Sequence, residues 1–470
     1  MKVSTDNEFP LDNGQWYALE QMFSGRNVFL TGKAGTGKSA VIHAFTMMCG
    51  KTLVLLAPTG RAALNIHGDT IHRFFHLPVG ATCLEKVGAD MADEELRAKL
   101  NAVDVILVDE ISMVPSYIFH EMDRCFRSAA YGKNKDLPFG GKQIIVVGDF
   151  HQLGPVVSDP TLQKWINENF GGNYAFNAPA WEAAGFVNVA LEQVHRQSVA
   201  MEIEVLDALR TGNLNCPVGM INSKKMLDGG LAMERNLTYL DLLNKMCYKP
   251  NVVPHPHAST LCSRRYMAHI INDRILKSLN GAPETFYGSV IMGFPADEFP
   301  TSITLPLKIG SRITVLINIP ESQVVNGSMG TLVGKQGTKA VVQLDNRREV
   351  ALEPFRWTSF SYELLPKDDG THGIGQKVNG YFTNVPLASS YAQTIHRAQG
   401  MTLDHVHIAL GNRNCFATGQ PYTAFTRSRT LAHTSVDRKL RAEECLPDPV
   451  VVEFYRKIAR SCRGNRKEMN

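Results

Sequence analysis

Short apolar runs alternate with helix-like stretches over the first 190 residues. Asn27–Leu30, Thr52–Leu56, Val103–Val108, Ile144–Val147 and Val187–Leu191 are brief, rich in β-branched residues and bounded by Gly, Pro or Asp. They are separated by helical patterns, which predicts an α/β unit whose parallel sheet is covered on both faces. A polar, helix-prone stretch, Leu84–Ala102, falls between the second and third runs and reads as a small insertion. After Pro300 the texture changes. Arg312–Ile317, Thr331–Val333, Ala340–Leu344 and Glu349–Leu352 are short strands broken by Asn326-Gly327 and Asp345-Asn346. Their close spacing predicts a small antiparallel barrel, with Pro366–Gly380 as its loop-like tail. From Val385 the α/β texture resumes, with a strand near Val406–Leu410 and a helix from about Tyr422. The barrel therefore reads as inserted into a second α/β unit.

Composition sets bounds on this picture. A chain of 470 residues exceeds one ordinary domain, so about two to four are expected. With 44% hydrophobic and 20% charged residues it can build sizeable cores. No run approaches the roughly 18 apolar residues that span a bilayer, so no membrane partner is expected. The polar segment Met1–Gln15 looks like neither a secretory signal nor an Arg-rich transit peptide. The nine cysteines are scattered without a CxxC pair and read as reduced thiols of an intracellular protein. A net charge of +4 permits nucleic-acid binding without arguing for it. The one basic cluster, Arg456, Lys457, Arg460, Arg463, Arg466 and Lys467, reads first as a solvated helix face. His255 and His257 flank a proline with no partner cluster, and read as loop residues rather than metal ligands.

The candidate chemistry begins at Gly32-Lys-Ala-Gly-Thr-Gly-Lys38-Ser39, which matches GxxxxGK[ST] between a predicted strand and a predicted helix. Gly35, Thr36 and Gly37 would close backbone N–H groups around phosphates at a helix N-terminus. Lys38 would reach the β- and γ-phosphates, and Ser39 would ligate Mg²⁺. Such a loop needs an acid at the end of a neighbouring strand, and Val103-Asp-Val-Ile-Leu-Val-Asp109-Glu110 supplies one. Asp109 would hold the metal ion through water, and Glu110 would polarise the attacking water. Two arginines, Arg196 in Leu-Glu-Gln-Val-His-Arg-Gln and Arg427 in Tyr422-Thr-Ala-Phe-Thr-Arg, are candidates to neutralise transition-state charge. A surface role for either is as good a reading from periodicity alone. One from each unit would couple hydrolysis to motion of the two units.

The order of these elements resembles the PIF-type helicases of superfamily 1B, relatives of the RecD-like and phage Dda-like helicases. The resemblance runs from about Gln15 to Arg429. Besides the two ATPase blocks it rests on Ala57-Pro58-Thr59-Gly-Arg-Ala-Ala-Leu-Asn65 with Thr70-Ile-His72, on Val147-Gly-Asp-Phe-His-Gln152-Leu-Gly-Pro, and on Tyr422–Arg429. A further block is Tyr391-Ala-Gln-Thr-Ile-His396-Arg-Ala-Gln399-Gly400-Met-Thr-Leu-Asp. The resemblance implies two RecA-like motor domains, the first at 1–190 with a wedge at about 73–102. It places the second at 191–300 and 385–470, around an SH3-like barrel at 301–384. It also implies ATP and Mg²⁺ as cofactors and 5′-to-3′ movement on single-stranded DNA, with unwinding at single-strand/duplex junctions. Gln15 stands where the family reads adenine, Gln152 where it senses γ-phosphate, and Gln399 and Gly400 on the nucleotide side of the late block. Pro58, Thr59, Asn65, Thr70, His72, Phe75 and His396 fall in single-strand-contacting positions. Phe74 and Phe75 would stack on a base, worth roughly 1–3 kcal/mol per base, or else belong to the core.

There are departures from the family pattern. Ala-Phe-Thr-Arg stands for the usual Ala-Leu-Ser-Arg, and Thr260-Leu-Cys-Ser-Arg264-Arg265-Tyr carries arginines where relatives have Thr-Asn. A monomer working in replication, repair, recombination or telomere-type maintenance is expected, with single-strand-binding or replication proteins as partners. G-quadruplexes and RNA–DNA hybrids are further substrates to consider. The expected location is the cytoplasm or nucleoid, or a nucleus or mitochondrion in a eukaryote. Two other readings compete: the helicase subunit of a recombination nuclease complex, and a DNA-dependent ATPase switch that does not unwind. No nuclease-like carboxylate cluster is visible in the chain, and a simple switch has no need of the late blocks around His396 and Arg427.

Overall fold

The computed structural model describes residues 10–77, 94–197, 199–218, 237–249, 258–319, 322, 324–367, 370, 372–412 and 415–468, the side chains of 461–468 excepted. The expected wedge falls largely outside these residues, as do His255 and His257. Of the wedge segment, the described part after residue 93 is a helix, Glu94–Ala102, which sinks Leu96 and Leu100 into the first core.

Six strands form the first sheet. From edge to edge they are Asp69–Thr70, Leu53–Ala57, Val105–Val108, Gln143–Val147, Val28–Gly32 and Val187–Leu191, all parallel. The central strands are buried along their whole length, which is why they read as unbroken apolar runs rather than alternating ones. Helices cover both faces. Phe29, Ile106, Ile144 and Val146 pack on one side and Val28, Leu30, Val105, Ile145 and Val147 on the other. The helix Lys38–Met48 starts directly after the glycine turn, with Gly37 left-handed at its N-cap. The helix Asn13–Phe23 is opened by a capping box in which Asp12 and Gln15 satisfy each other's backbone N–H groups.

The second parallel sheet has four short strands in the order Ala392–Thr394, Ser259–Cys262, Val406–Ala409 and Thr434–Val436. Its core gathers Leu261, Ile395, Val406, Ile408 and Phe425 with Val205, Leu206 and Leu209 of the helix Ala200–Thr211. Between its strands in sequence lies antiparallel structure. A five-stranded sheet runs Glu349–Leu352, Lys339–Leu344, Met329–Gln336, Arg312–Val315 and Leu387–Ser389 around Leu307, Ile313, Val315, Leu332 and Val342.

Three features depart from the sequence reading. Pro366–Gly380 is not a loop: Phe355–Pro366 and His372–Asn384 pair as a long antiparallel hairpin, joined at its edge by Ser289–Met292. Glycines and mixed polarity on both faces hid the second strand, because neither face is uniformly buried. Antiparallel pairing also begins earlier than residue 301, since Glu284–Tyr287 pairs with Thr304–Leu307. Lastly, the helix Pro449–Glu468, which follows the second sheet in sequence, is seated on the first core. Val451, Phe454, Tyr455 and Ile458 lie against the first core, where Phe454 stacks on Phe176 and meets Phe29, Phe150 and Trp181. Among the described residues no helix is long and apolar enough to cross a membrane.

Candidate nucleotide cleft and its DNA-facing flank

The glycine-rich turn sits at the carboxyl end of the strand Val28–Gly32, between the first sheet and the helix Lys38–Met48. Gly35 and Gly37 have φ of 80° and 77°, a region in which a side chain is strained. Crowding also excludes one: a Cβ on Gly35 would lie 2.6 Å from Arg196 Cβ, and one on Gly37 2.2 Å from Gln15 Nε2. The Lys38 ammonium folds back to donate to the carbonyls of Gly32 (2.9 Å) and Lys33 (3.0 Å). Burial lowers its pKa, against the nearby Asp149, Glu110 and Asp109 carboxylates. Gln15 is buried beside the turn and donates to the Thr36 carbonyl at 3.1 Å. Ser39 lies in the first turn of the helix.

Asp109 and Glu110 follow the strand Val105–Val108. Burial pushes the Asp109 carboxyl up to about 7, and the neighbouring Glu110 charge adds to the effect. Glu110 has φ 51°, an uncommon conformation for a non-glycine residue and one that recurs at functional sites. Two neighbouring acids in a partly buried site suit a cation. Among the described residues no three His, Cys, Asp or Glu side chains form a metal cage. Mg²⁺ needs none, because it usually binds one or two carboxylates together with substrate phosphates. The donor set Ser39 and Asp109 fits that habit.

Groups from the second unit reach into the same place. Gln399 Nε2 donates to Glu110 Oε2 (3.1 Å) and to Ser112 Oγ (3.2 Å). Asn65 of the first unit donates to the Gly400 carbonyl at 3.1 Å. Arg427, 3% exposed, donates to Gln152 Oε1 at 3.3 Å and to the carbonyls of Thr423 and Met401. Burial lowers its pKa to about 10, opposed by Glu110 and reinforced by Arg196. Arg196 donates through its backbone N–H to the Gly35 carbonyl and through Nη1 to the Thr426 carbonyl (2.9 Å). The two arginines therefore meet at one seam: Arg196 joins the P-loop to Thr426, the residue before Arg427, and Arg427 reaches the Gln152 turn.

The DNA-facing candidates divide. Thr59 caps the helix Gly60–Asn65 and Thr70 the helix Ile71–Phe74, so each hydroxyl already accepts a backbone N–H. Pro58 is half-buried beside Thr59. Next to them Arg61 donates to the Gly327 carbonyl of the antiparallel region, which brings that region against the first sheet. His72 and His396 are partly buried, and burial lowers the pKa of both. Phe75 requires correction. It is fully buried, edge-on to Phe74 and Phe126 in the first core, because the short helix turns both phenylalanines inward. An unnoticed aromatic lies elsewhere. Phe416, 51% exposed, stacks on His396 at 5.7 Å and carries the Arg264 guanidinium 4.9 Å above its ring. Arg264, one of the two arginines that depart from the family pattern, thus lies beside His396 of the late block. A large aromatic left exposed near that block was the signal to look for.

A P-loop and acid pair on one parallel sheet, met by an arginine and a glutamine from a second, define a two-unit nucleotide hydrolase. Comparison with known proteins gives the family. The profile described as PIF1-like helicase matches residues 17–214. The ATP-dependent DNA helicase Pif1 of Bdellovibrio bacteriovorus is 30% identical over 468 residues, covering 96% of this chain and 93% of that one. A solved structure described as the basis for unwinding of forked duplex DNA by two coordinating Pif1 helicases superposes with a TM-score of 0.77 at 26% identity, covering 96% and 98% of the two chains. Pif1 helicase from Bacteroides, in complex with ADP-AlF3 and single-stranded DNA, superposes at 0.75 and 27%, covering 96% and 97%. The chain belongs to the PIF1-like helicase family, and its two parallel sheets are of the RecA-like kind. It spans 66% of the length of the Xenopus laevis and Danio rerio relatives.

Proposed function

We propose that this chain is an ATP-dependent DNA helicase that moves 5′ to 3′ on single-stranded DNA and opens duplexes at junctions. The observation that carries the reading is the crossing of the cleft by Gln399 and Arg427 onto Glu110 and Gln152. A nucleotide bound there would be gripped by both sheets at once, so gaining and losing its γ-phosphate changes how the sheets hold each other.

In this reading Gly35, Thr36, Gly37 and Lys38 cradle the phosphates, and Gln15 turns from the P-loop to the base. Glu110 orients the attacking water, Gln152 reports the γ-phosphate, and Arg196 and Arg427 neutralise charge in the transition state. Ser39 and Asp109 would hold Mg²⁺, which supplies charge neutralisation at the β- and γ-oxygens when bound. Gln399 and Gly400 carry the nucleotide state toward His396. Pro58, Thr59, Asn65, Thr70, His72 and His396 line the strand path, with Phe416 as the stacking surface in place of Phe75. The segment around Glu94–Ala102 is assigned as the wedge and the antiparallel region as an SH3-like barrel. Single-stranded DNA and forks are the expected partners, bound by a monomer with slight sequence preference.

Strand displacement with tailed duplexes tests the reading. A duplex with a 5′ single strand should be opened in the presence of ATP, and one with only a 3′ strand should not. Opening of the 3′-tailed duplex alone would refute the polarity, and failure on both would refute the motor.

A further inference from the structure

The Asp149 carboxylate, fully buried at the end of the strand Gln143–Val147, is a junction between elements distant in the chain. Arg210, from the helix Ala200–Thr211 in the second core, clamps it with two bonds of 3.0 and 2.9 Å. The Tyr422 hydroxyl reaches it at 3.2 Å while accepting the Ala34 N–H of the P-loop at 3.0 Å. From the helix Pro449–Glu468, the Tyr455 hydroxyl lies 3.4 Å from the carboxylate. That hydroxyl is also 2.8 Å from Thr31 Oγ1 and accepts the Phe150 N–H at 3.2 Å. The Tyr455 ring stacks on His151 at 4.8 Å and sits under the Arg210 guanidinium.

All these bonds converge on one turn. Asp149 accepts the Gln152 N–H with its backbone carbonyl and the His151 N–H with its side chain, so it shapes the segment that presents Gln152. The far end of the turn is tied to the second unit, where Leu153 N–H donates to Thr423 Oγ1 at 3.1 Å. Burial would raise the Asp149 pKa, but the Arg210 guanidinium bonded to it, together with His151 and Lys38, outweighs that and keeps the carboxylate ionised. An ionised carboxylate in a dry site holds its donors strongly, since losing one leaves an unpaired charge. Arg210 and Tyr422 belong to the second unit, whereas Tyr455 is anchored on the first core. If the cleft opens, the first two leave Asp149 and Tyr455 stays.

We propose that Arg210 and Tyr455 are positioning residues of the ATPase: through Asp149 they fix the turn that aims Gln152, Arg210 only when the cleft is closed and Tyr455 throughout. This rests on the nucleotide reading of the cleft. It gives the C-terminal helix a part in catalysis through the Tyr455 hydroxyl, which also bonds Thr31 on the strand leading into the P-loop. It also ties the P-loop, through Tyr422 and Ala34, to the same carboxylate that senses closure.

The test is steady-state ATPase with single-stranded DNA, resolved into kcat and KM for ATP, on the full chain. Tyr455→Phe keeps the ring and removes the hydroxyl, and should lower kcat about fivefold with KM within about twofold. Arg210→Gln should lower kcat roughly 30-fold, with Arg210→Lys recovering part of it because a charge returns without the two-pronged geometry. A merely structural role would lower the melting temperature and leave kcat per folded molecule unchanged. Should Arg210→Gln not fold, Tyr455→Phe decides, since its ring packing is intact. Unchanged kcat in Tyr455→Phe, with the unaltered protein active, overturns this inference alone. An unaltered protein that shows no DNA-stimulated hydrolysis overturns the nucleotide-driven motor itself.

Discussion

The two parallel sheets do unequal work. The first has six strands, and Lys38, Ser39, Asp109, Glu110 and Gln152 all follow the carboxyl ends of its strands, where open α/β sheets place their ligands. The second has four short strands and contributes no phosphate-binding turn among the described residues. Among the groups it sends across the cleft are Gln399, Gly400 and Arg427, each already bonded to a group of the first unit. In the proposed reading the first sheet cradles the phosphates, and the second makes that grip depend on how the two sheets meet. A motor requires that division, because chemistry confined to one rigid unit would move nothing.

The division can be broken from either side. On the first sheet, Lys38→Ala should remove ATPase activity to below detection while binding to a labelled single strand stays measurable. On the second, Arg427→Ala should leave nucleotide affinity close to that of the unaltered protein and lower kcat by roughly 10³-fold, the usual worth of a cis or trans arginine at a phosphoryl group. Loss of nucleotide binding in that variant would mean that the second sheet also holds ATP. Gln399→Ala removes only the bonds to Glu110 and Ser112 and should cut the stimulation of ATPase by single-stranded DNA by about tenfold, leaving the basal rate nearly intact.

A smaller effect is expected in stability against pH. The folded Asp109 pKa is raised from 3.8 to about 7, so the folded state resists its ionisation. The stability linked to its protonated form is fully present below about pH 4 and is lost as pH rises through about 7. Asp109→Asn should therefore raise the melting temperature of the nucleotide-free protein at pH 8 and change it little at pH 4. An equal shift at both pH values would show that Asp109 is not held protonated by its surroundings.

Legibility in the sequence followed the same asymmetry. The P-loop and the acid pair were readable because their chemistry is set by residues a few positions apart, flanked by short apolar runs. Gln399 was located only by resemblance, and Arg427 had an equally good surface reading, since nothing in their local pattern says what lies across a cleft. The stripe Val451, Phe454, Tyr455 and Ile458 has helical spacing, so a half-buried helix was there to be read. Which core it would cover was not, because that pairing joins residues 29 and 454. Phe75 was misplaced for a related reason: an aromatic beside a candidate contact block reads alike whether it faces DNA or core, and four-residue helices give no periodicity to decide. The hairpin beyond Phe355 was missed because both of its faces are partly exposed, which erases the alternation that marks a strand.

Strand displacement on a 5′-tailed duplex by Arg427→Ala, measured beside its affinity for ATP, tests the division between the two sheets most directly. The expected result is near-normal ATP binding with no displaced strand on the time scale of the unaltered protein. Displacement at the unaltered rate would contradict the account, since the second sheet would then have no part in the chemistry that drives the motor.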